Sequence, residues 1–160
     1  MLPCRKIRVV SLLNNLFKIF RPVRLEDPYF GSLLLFKARR GLSYWEGQRE
    51  FEPLGKTVAL FIDATDSTGP SQAQQRHFRW VETEYGTLCE TIAGRFKESG
   101  WAARLMDRGF DNEFTLSSMS IPLCRDAAES WELSFDAKRD THLFSVSMVG
   151  REPTNVMVDG

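Results

Sequence analysis

Apolar residues recur at spacings of three and four between Ser71 and Glu98, and this stretch carries the strongest periodic signal in the chain. Such spacings place residues on one stripe of an α-helix, because the helix turns by about 100° per residue. Gly69-Pro70-Ser71 supplies a helix start, and Gly100 supplies a stop. The sequence therefore predicts one amphipathic helix over residues 71–98. Its apolar stripe consists of Phe78, Val81, Tyr85, Leu88, Cys89, Ile92 and Phe96.

On both sides of this helix the apolar period changes to two, which is typical of β-strands. Val58, Leu60 and Ile62 alternate with Ala59 and Phe61, so this strand is apolar on both faces and is predicted to be central. The pattern predicts the α+β class: an antiparallel sheet in the order β-β-β-α-β-β-β-β, with the long helix packed across it. The predicted strands are centred on residues 33–36, 44–51, 58–62, 114–116, 131–135, 143–148 and 156–158.

The charge of the chain divides it into two parts. Residues 1–24 hold six basic residues and no acidic one, whereas the chain from Leu25 onward holds fifteen basic and twenty-one acidic residues. Residues 7–21 have apolar and polar halves on a helical wheel, and Pro22 ends the predicted helix. The sequence thus predicts a basic amphipathic leader helix within residues 1–24 and a single α+β domain over residues 25–160.

The leader has two predicted fates. Lys18 interrupts its apolar run and no small-residue cleavage site follows, which argues against a secretion signal. An anionic membrane surface would attract its charges, and an apolar face of the body would cover the same apolar half. The residues predicted to face the membrane are Arg5, Lys6, Arg8, Lys18, Arg21, Arg24, Leu13, Phe17 and Phe20.

A protein-binding surface is predicted on the back of the long helix, opposite the apolar stripe. Trp80, Arg76, Thr83 and Thr87 fall there, where an exposed helix face normally carries charges. Tryptophan is enriched at the anchors of protein interfaces. The alternative is that the leader or a loop covers this face within the chain.

Candidates for chemistry are sparse. The cysteines Cys4, Cys89 and Cys124 have no metal-ligand spacing, and free thiols in a reducing compartment are favoured over disulfides. His77 and His142 do not complete a zinc site with them, so no metal or organic cofactor is predicted. Cys89 is predicted to fill the core. Two acidic clusters could bind a divalent cation or form an acid/base couple, although solvated carboxylates are commoner: Asp63 with Asp66, and Asp107 with Asp111 and Glu113.

These patterns favour a non-catalytic cytoplasmic protein that binds another protein and whose basic leader docks either on a membrane surface, at the inner membrane face, or on an interface of the protein. The alternative is a small hydrolase-type enzyme that uses loop carboxylates with His142. No Gly-rich phosphate loop, GxSxG or HExxH motif occurs in the chain. Nucleic acid is not an expected partner, because the acidic body would repel phosphates.

Three segments carry a resemblance to an uncharacterised bacterial domain family, which combines a D-P-x-F-G opening, a W-E-G strand and a G-P-x-x-x-Q helix start. The segments are Asp27-Pro28-Tyr29-Phe30-Gly31, Tyr44-Trp45-Glu46-Gly47 and the run from Gly69 to Gln75. The closing strands at 131–135 and 156–160 look similar too. The family resembles immunity or accessory proteins of bacterial toxin systems. The resemblance implies such a role but assigns no catalytic residue.

Overall fold

One eight-stranded sheet, with a long helix packed on one of its faces, forms the body of the protein. The computed structural model describes residues 23–38 and 42–159. Across the sheet the strands follow one another in chain order. The strands are β1 (Val23–Asp27), β2 (Gly31–Phe36), β3 (Ser43–Phe51), β4 (Lys56–Ala64), β5 (Phe114–Ile121), β6 (Ser130–Ala137), β7 (Leu143–Val149) and β8 (Glu152–Asp159).

The long helix α1 (Gln72–Glu98) lies between β4 and β5, as the sequence predicts. A second, one-turn helix, α2 (Phe110–Glu113), leads directly into β5, and 3₁₀-helical segments occupy Glu52–Leu54 and Ala102–Arg108. The α+β class with one long helix is therefore confirmed. Within the described ranges, no helix is both long enough and apolar enough to cross a membrane.

The predicted antiparallel arrangement is wrong at one pair of strands. β4 and β5 run parallel, with Ala59 opposite Ser118 and Ile62 opposite Ile121, whereas every other neighbouring pair is antiparallel. A parallel pair needs a long crossover connection, and α1 provides it by packing back onto the sheet between the two strands. The sheet thus consists of two antiparallel halves, β1–β4 and β5–β8, joined by one parallel pair.

The predicted strand order is also one strand short before the helix. Val23 and Arg24, which were assigned to the leader, are the first residues of β1, an edge strand that pairs with β2. β1 shows little apolar periodicity, because it is short and only Leu25 of its apolar residues packs against the core. The predicted leader helix at 7–21 lies outside the described residues.

Aromatic side chains fix α1 to both halves of the sheet. Near the start of the helix, the Phe78 ring lies 5.9 Å from the ring of Phe30 and 6.1 Å from that of Phe51, between ring centroids. Near its end, the Phe96 ring lies 4.8 Å from Phe114 and 5.9 Å from Phe144. The predicted apolar stripe is confirmed: its residues are buried, except that Tyr85 is half-buried.

The D-P-Y-F-G segment forms the turn between β1 and β2. Asp27 Oδ1 accepts hydrogen bonds from the backbone N–H groups of Tyr29 at 2.8 Å and Phe30 at 2.7 Å. Gly31 follows with φ of +78°, a left-handed conformation that favours glycine. In the W-E-G segment, a Cβ at Gly47 would lie 2.4 Å from Leu33 Cδ2. Both segments therefore serve the packing of β1–β3.

The G-P-x-x-x-Q segment starts α1 and ties it to the sheet. Ser71 Oγ accepts from the Gln74 N–H at 3.2 Å, and Gln74 Oε1 accepts from the Ser71 N–H at 2.9 Å, which forms a capping box. The buried Gln74 Nε2 donates to the carbonyl oxygens of Asp63 at 2.8 Å and Pro122 at 3.1 Å. Gln74 thus links the helix to the end of β4 and to the segment that follows β5.

The acidic cluster around Glu113 holds the chain together after α1. Glu113 is buried, and its Oε2 accepts from Arg139 Nε at 2.6 Å, while Arg108 Nε lies 3.8 Å from its Oε1. Arg139 also pairs with Asp107. These contacts join the 3₁₀ segment to the turn between β6 and β7. Two members of this candidate for metal or acid/base chemistry, Asp107 and Glu113, are therefore engaged in ion pairs.

Replacing Phe96 by alanine should lower the free energy of unfolding by about 3–5 kcal/mol, because the substitution leaves a cavity in an aromatic cluster. Urea unfolding of the purified protein measures the change. Thr87→Ala, on the exposed face of the same helix, is the control and should shift the value by less than about 0.5 kcal/mol. Similar losses from both substitutions would contradict the assigned helix face.

Replacing Gln74 by alanine should cost about 1–3 kcal/mol, since it leaves two backbone carbonyl groups without their donor. Ser71→Ala should cost about 1 kcal/mol through loss of the helix cap. Thermal and urea unfolding measure both effects. The exposed neighbouring glutamine supplies the matched control, Gln72→Ala, and an equal loss there would show that the Gln74 bonds are dispensable.

Candidate functional site

A cleft of about 400 Å³ opens between the first turns of α1 and the loop that joins β5 to β6. The helix contributes Arg76, His77 and Trp80, and Trp131 lies at the start of β6. The loop after Pro122 and the turn at Gly150 close the remaining sides. The cleft therefore brings together residues that are far apart in sequence.

Three aromatic rings form the floor of the cleft. The His77 ring lies 4.7 Å from that of Trp131, in perpendicular orientation, and the Trp80 ring lies 6.0 Å from Trp131, between ring centroids. Trp131 is buried, and its Nε1 donates to the Gly150 carbonyl oxygen at 2.7 Å. These contacts hold Trp131 in one orientation and leave Trp80 half-buried at the mouth.

His77 is neutral at pH 7 within this floor. Burial lowers the pKa of the imidazole from its usual 6.5 to about 4, although the nearby Glu129 carboxylate acts in the opposite direction. Its Nε2 is buried and has no hydrogen-bond partner among the described residues. The ring thus contributes a neutral surface to the cleft rather than a charge.

One carboxylate organises the loop on the far side of the cleft. Glu129 accepts hydrogen bonds from the backbone N–H groups of Cys124 at 2.7 Å, Arg125 at 2.8 Å and Asp126 at 3.2 Å. Cys124 adopts φ of +60°, which is uncommon for a residue other than glycine. The loop is therefore held in a defined and locally strained conformation.

The two described thiols are unsuited to nucleophilic chemistry. Burial, together with the Glu129 carboxylate, raises the pKa of Cys124 to about 11, and its Sγ donates to the Pro122 carbonyl oxygen at 3.2 Å. Burial likewise raises the pKa of Cys89 to about 11. Both thiols remain protonated at neutral pH. Cys89 fills the core, as predicted.

Three arginines surround the mouth of the cleft. Arg76 lies on α1, Arg125 on the loop and Arg151 on the turn between β7 and β8, and all three are exposed. The Arg151 guanidinium lies 5.0 Å from the centre of the Trp80 ring. Within the described part of the chain, none of the three has a carboxylate oxygen within 4.0 Å. Positive charge therefore gathers at one site on an acidic body.

The structure divides the predicted protein-binding residues. Arg76 and Trp80 line the cleft, whereas Thr83 and Thr87 are exposed further along α1. The prediction that Trp80 points away from the apolar stripe is wrong. Its side chain reaches over the flank of the helix to Trp131. A helical wheel shows only the direction of the Cβ atom, and the long tryptophan side chain extends sideways from it to the neighbouring strand.

The loop after β5 and Arg151 were not singled out from the sequence. The only local feature of the sequence there is Pro122 before Cys124. The loop lines the cleft because Glu129 holds it in a turn, and that contact has no local pattern in the sequence. Of the predicted membrane-facing residues, only Arg24 falls within the described ranges, where it is exposed on β1. The remaining eight lie outside them.

His142 lies in a different environment. Asp140 accepts hydrogen bonds from the backbone N–H and the ring Nδ1 of His142, and these bonds lower the pKa of the Asp140 carboxyl. The half-exposed Trp101 packs beside the imidazole at 5.3 Å between ring centroids. The two polar residues form a local turn, and His142 lines neither the cleft nor the second cavity described below.

The carboxylates of the other acidic pair, Asp63 and Asp66, lie in different surroundings. Asp66 accepts from the N–H and hydroxyl of Thr68, which lowers the pKa of its carboxyl, and burial raises the pKa of Asp63. In the part of the chain that the structure describes, no three His, Cys, Asp or Glu side chains come together in a group able to hold a metal ion.

Comparison of the chain with protein-family models, with curated proteins and with solved structures finds no match.

The protein should lose stability as the pH falls from about 6.5 towards 4, partly through His77. The unfolded chain takes up a proton on this imidazole in that range and the folded protein does not, so unfolding is favoured by at most about 3 kcal/mol at the acid end. Urea unfolding from pH 7 to pH 4 measures the slope. His77→Phe should flatten it relative to the wild type, and parallel curves would contradict the assignment.

Proposed function

We propose that this chain is a non-catalytic protein-binding module whose cleft receives an acidic segment of a partner protein. The observation that carries the proposal is the set of three arginines without carboxylate partners around the two tryptophans. The cleft combines an apolar floor with a positive rim, and an acidic segment with one apolar side chain complements both.

The residue types of the cleft support protein binding. Tryptophan and arginine are the residues most enriched among those that dominate interface energies. Trp80 is half-buried, so part of its ring remains open to a partner, while Trp131 beneath it is fixed by its bond to Gly150. Arg151 beside Trp80 could cover an inserted side chain and pair with a neighbouring carboxylate.

Within the described ranges, the nearby acidic residues form no ion pair with the three arginines of the rim. Glu129 is engaged by three backbone N–H groups of its own loop, and Asp126 Oδ1 accepts from the Ala128 N–H at 2.8 Å. Their charges therefore organise the loop, and the arginines keep their donors for a partner. A carboxylate would receive paired N–H bonds from a guanidinium, which are stronger than bonds between neutral groups.

The order of the loop supports recognition without large rearrangement. The Glu129 bonds and the left-handed backbone at Cys124 fix Arg125 beside the cleft before a partner arrives. A site ordered in advance loses less conformational entropy on binding than a flexible one.

The wider role stays a prediction. The resemblance described above implies an immunity or accessory protein of a bacterial toxin system, and an acidic surface on a toxin would suit this cleft. Docking of the leader on a membrane or on the body, and the contribution of Thr83 and Thr87 to binding, also stay predictions. The hydrolase alternative retains only the contact between His142 and Asp140, which is local to one turn.

The proposal is tested with a fluorescein-labelled, glutamate-rich peptide that carries one central phenylalanine. Fluorescence anisotropy should show binding to the wild type that weakens as sodium chloride is added, because salt screens exposed charges. Arg76→Glu combined with Arg151→Glu should weaken binding by at least about tenfold, corresponding to about 1.4 kcal/mol.

A control variant makes the same charge change elsewhere. Lys97→Glu combined with Arg104→Glu alters two exposed residues that do not line the cleft, and it should change the affinity by less than about twofold. Equal losses of affinity in both double variants would show that binding depends on the net charge of the protein and not on the cleft. Tighter binding of a matched lysine-rich peptide would overturn the proposal.

A further inference from the structure

A second cavity, of about 630 Å³, lies between α1 and the segment that follows β3. Arg79, Glu82 and Thr83 contribute from the helix, and Arg49 and Glu52 contribute from β3 and the 3₁₀ turn after it. None of these residues lines the first cleft. The cavity is therefore a separate site, and its function does not depend on the one proposed above.

Two arginines that pack on one tyrosine ring give this cavity a pair of positive charges. The guanidinium carbon of Arg49 lies 4.1 Å from the centre of the Tyr29 ring, and that of Arg79 lies 4.9 Å from the same centre. The tyrosine thus holds two cations near each other through cation–π contacts. Neither has a carboxylate oxygen within 4.0 Å in the described ranges.

Arg49 has a donor left over in this arrangement. One of its terminal N–H groups donates to the Tyr29 carbonyl oxygen, which fixes the side chain against the turn between β1 and β2. Its Nε is buried and has no hydrogen-bond partner among the described residues, so it offers no donor to the cavity. The terminal N–H groups that do not bond to Tyr29 are the donors left for a ligand.

Two carboxylates, those of Glu52 and Glu82, line the same cavity, and both also line a smaller adjoining cavity of about 290 Å³ together with Arg49 and Glu50. Glu82 Oε1 accepts from the Glu52 backbone N–H at 3.2 Å, which holds that carboxylate at the junction of the two cavities. A ligand in this cavity therefore meets both a pair of guanidinium groups and a pair of carboxylates.

We propose that the cavity binds a zwitterionic small molecule of the amino-acid type. Its carboxylate lies against Arg49 and Arg79, where it accepts from the free donors of both guanidinium groups, and its ammonium lies between Glu52 and Glu82. Each charged group of the ligand meets the opposite charge, which neither a simple carboxylate nor a simple amine achieves.

The spacing of the two charges is measured with glycine, β-alanine, γ-aminobutyrate and ε-aminocaproate as probes. Acetate and methylammonium serve as the single-charge controls. Backbone amide NMR signals of Tyr29, Glu52 and Thr83 report occupancy. At least one of the zwitterions should bind about tenfold more tightly than acetate or methylammonium. Equal affinity of acetate, or the absence of shifts at these amides with every probe, would overturn the proposal.

Two substitutions test the two kinds of charge separately. Arg79→Gln removes one cation from an exposed helix position and should weaken the best zwitterion by about tenfold. Glu82→Gln keeps the acceptor for the Glu52 N–H and should abolish the preference for the zwitterion over acetate. Lys97→Gln, outside both cavities, is the matched control and should change nothing. Unchanged affinity in the Arg79 and Glu82 variants would overturn the proposal, whatever the peptide experiment on the first cleft shows.

Discussion

The packing of one helix across two halves of a sheet is the constraint on which the fold depends. Each half is an antiparallel run of four strands, and only the parallel pair β4–β5 joins them through backbone hydrogen bonds. Phe78 packs on the first half and Phe96 on the second. Burial of this stripe therefore holds the halves together, and it also sets where each flank of α1 meets the sheet.

Both cavities result from this placement. The first turns of α1 lie between the loop after β5 on one flank and the segment after β3 on the other. A single helix leaves a groove along each side, because it is narrower than an eight-stranded sheet. Long side chains from the helix edges reach into these grooves. Trp80 adds an aromatic surface to the first, and Arg79 adds a positive charge to the second.

The segments that carry the family resemblance serve the structure more directly than they serve any chemistry. Asp27 orders a turn, Gly47 makes room for Leu33, and Gln74 bonds to carbonyl groups at the end of β4 and just after β5.

The helix α1 could be predicted from sequence, because its signals are local: an apolar stripe with helical spacing, a capping serine and a following glycine. The central strand β4 could be predicted for the same reason, since apolar residues occupy both of its faces. The edge strand β1 and the parallel pairing of β4 with β5 could not. An edge strand has little apolar pattern of its own, and the direction of a pair depends on how the intervening helix packs.

The candidate sites divide in the same way. The sequence by itself identified Arg76 and Trp80 as unusual for an exposed helix face, and both line the first cleft. It did not indicate Arg125, Arg151 or Trp131 as their neighbours, nor that Arg49 and Arg79 share the Tyr29 ring. These groupings join residues from different strands, loops and one helix. Only tertiary structure decides them, because contacts between distant segments follow from how the elements pack and leave no local period in the chain.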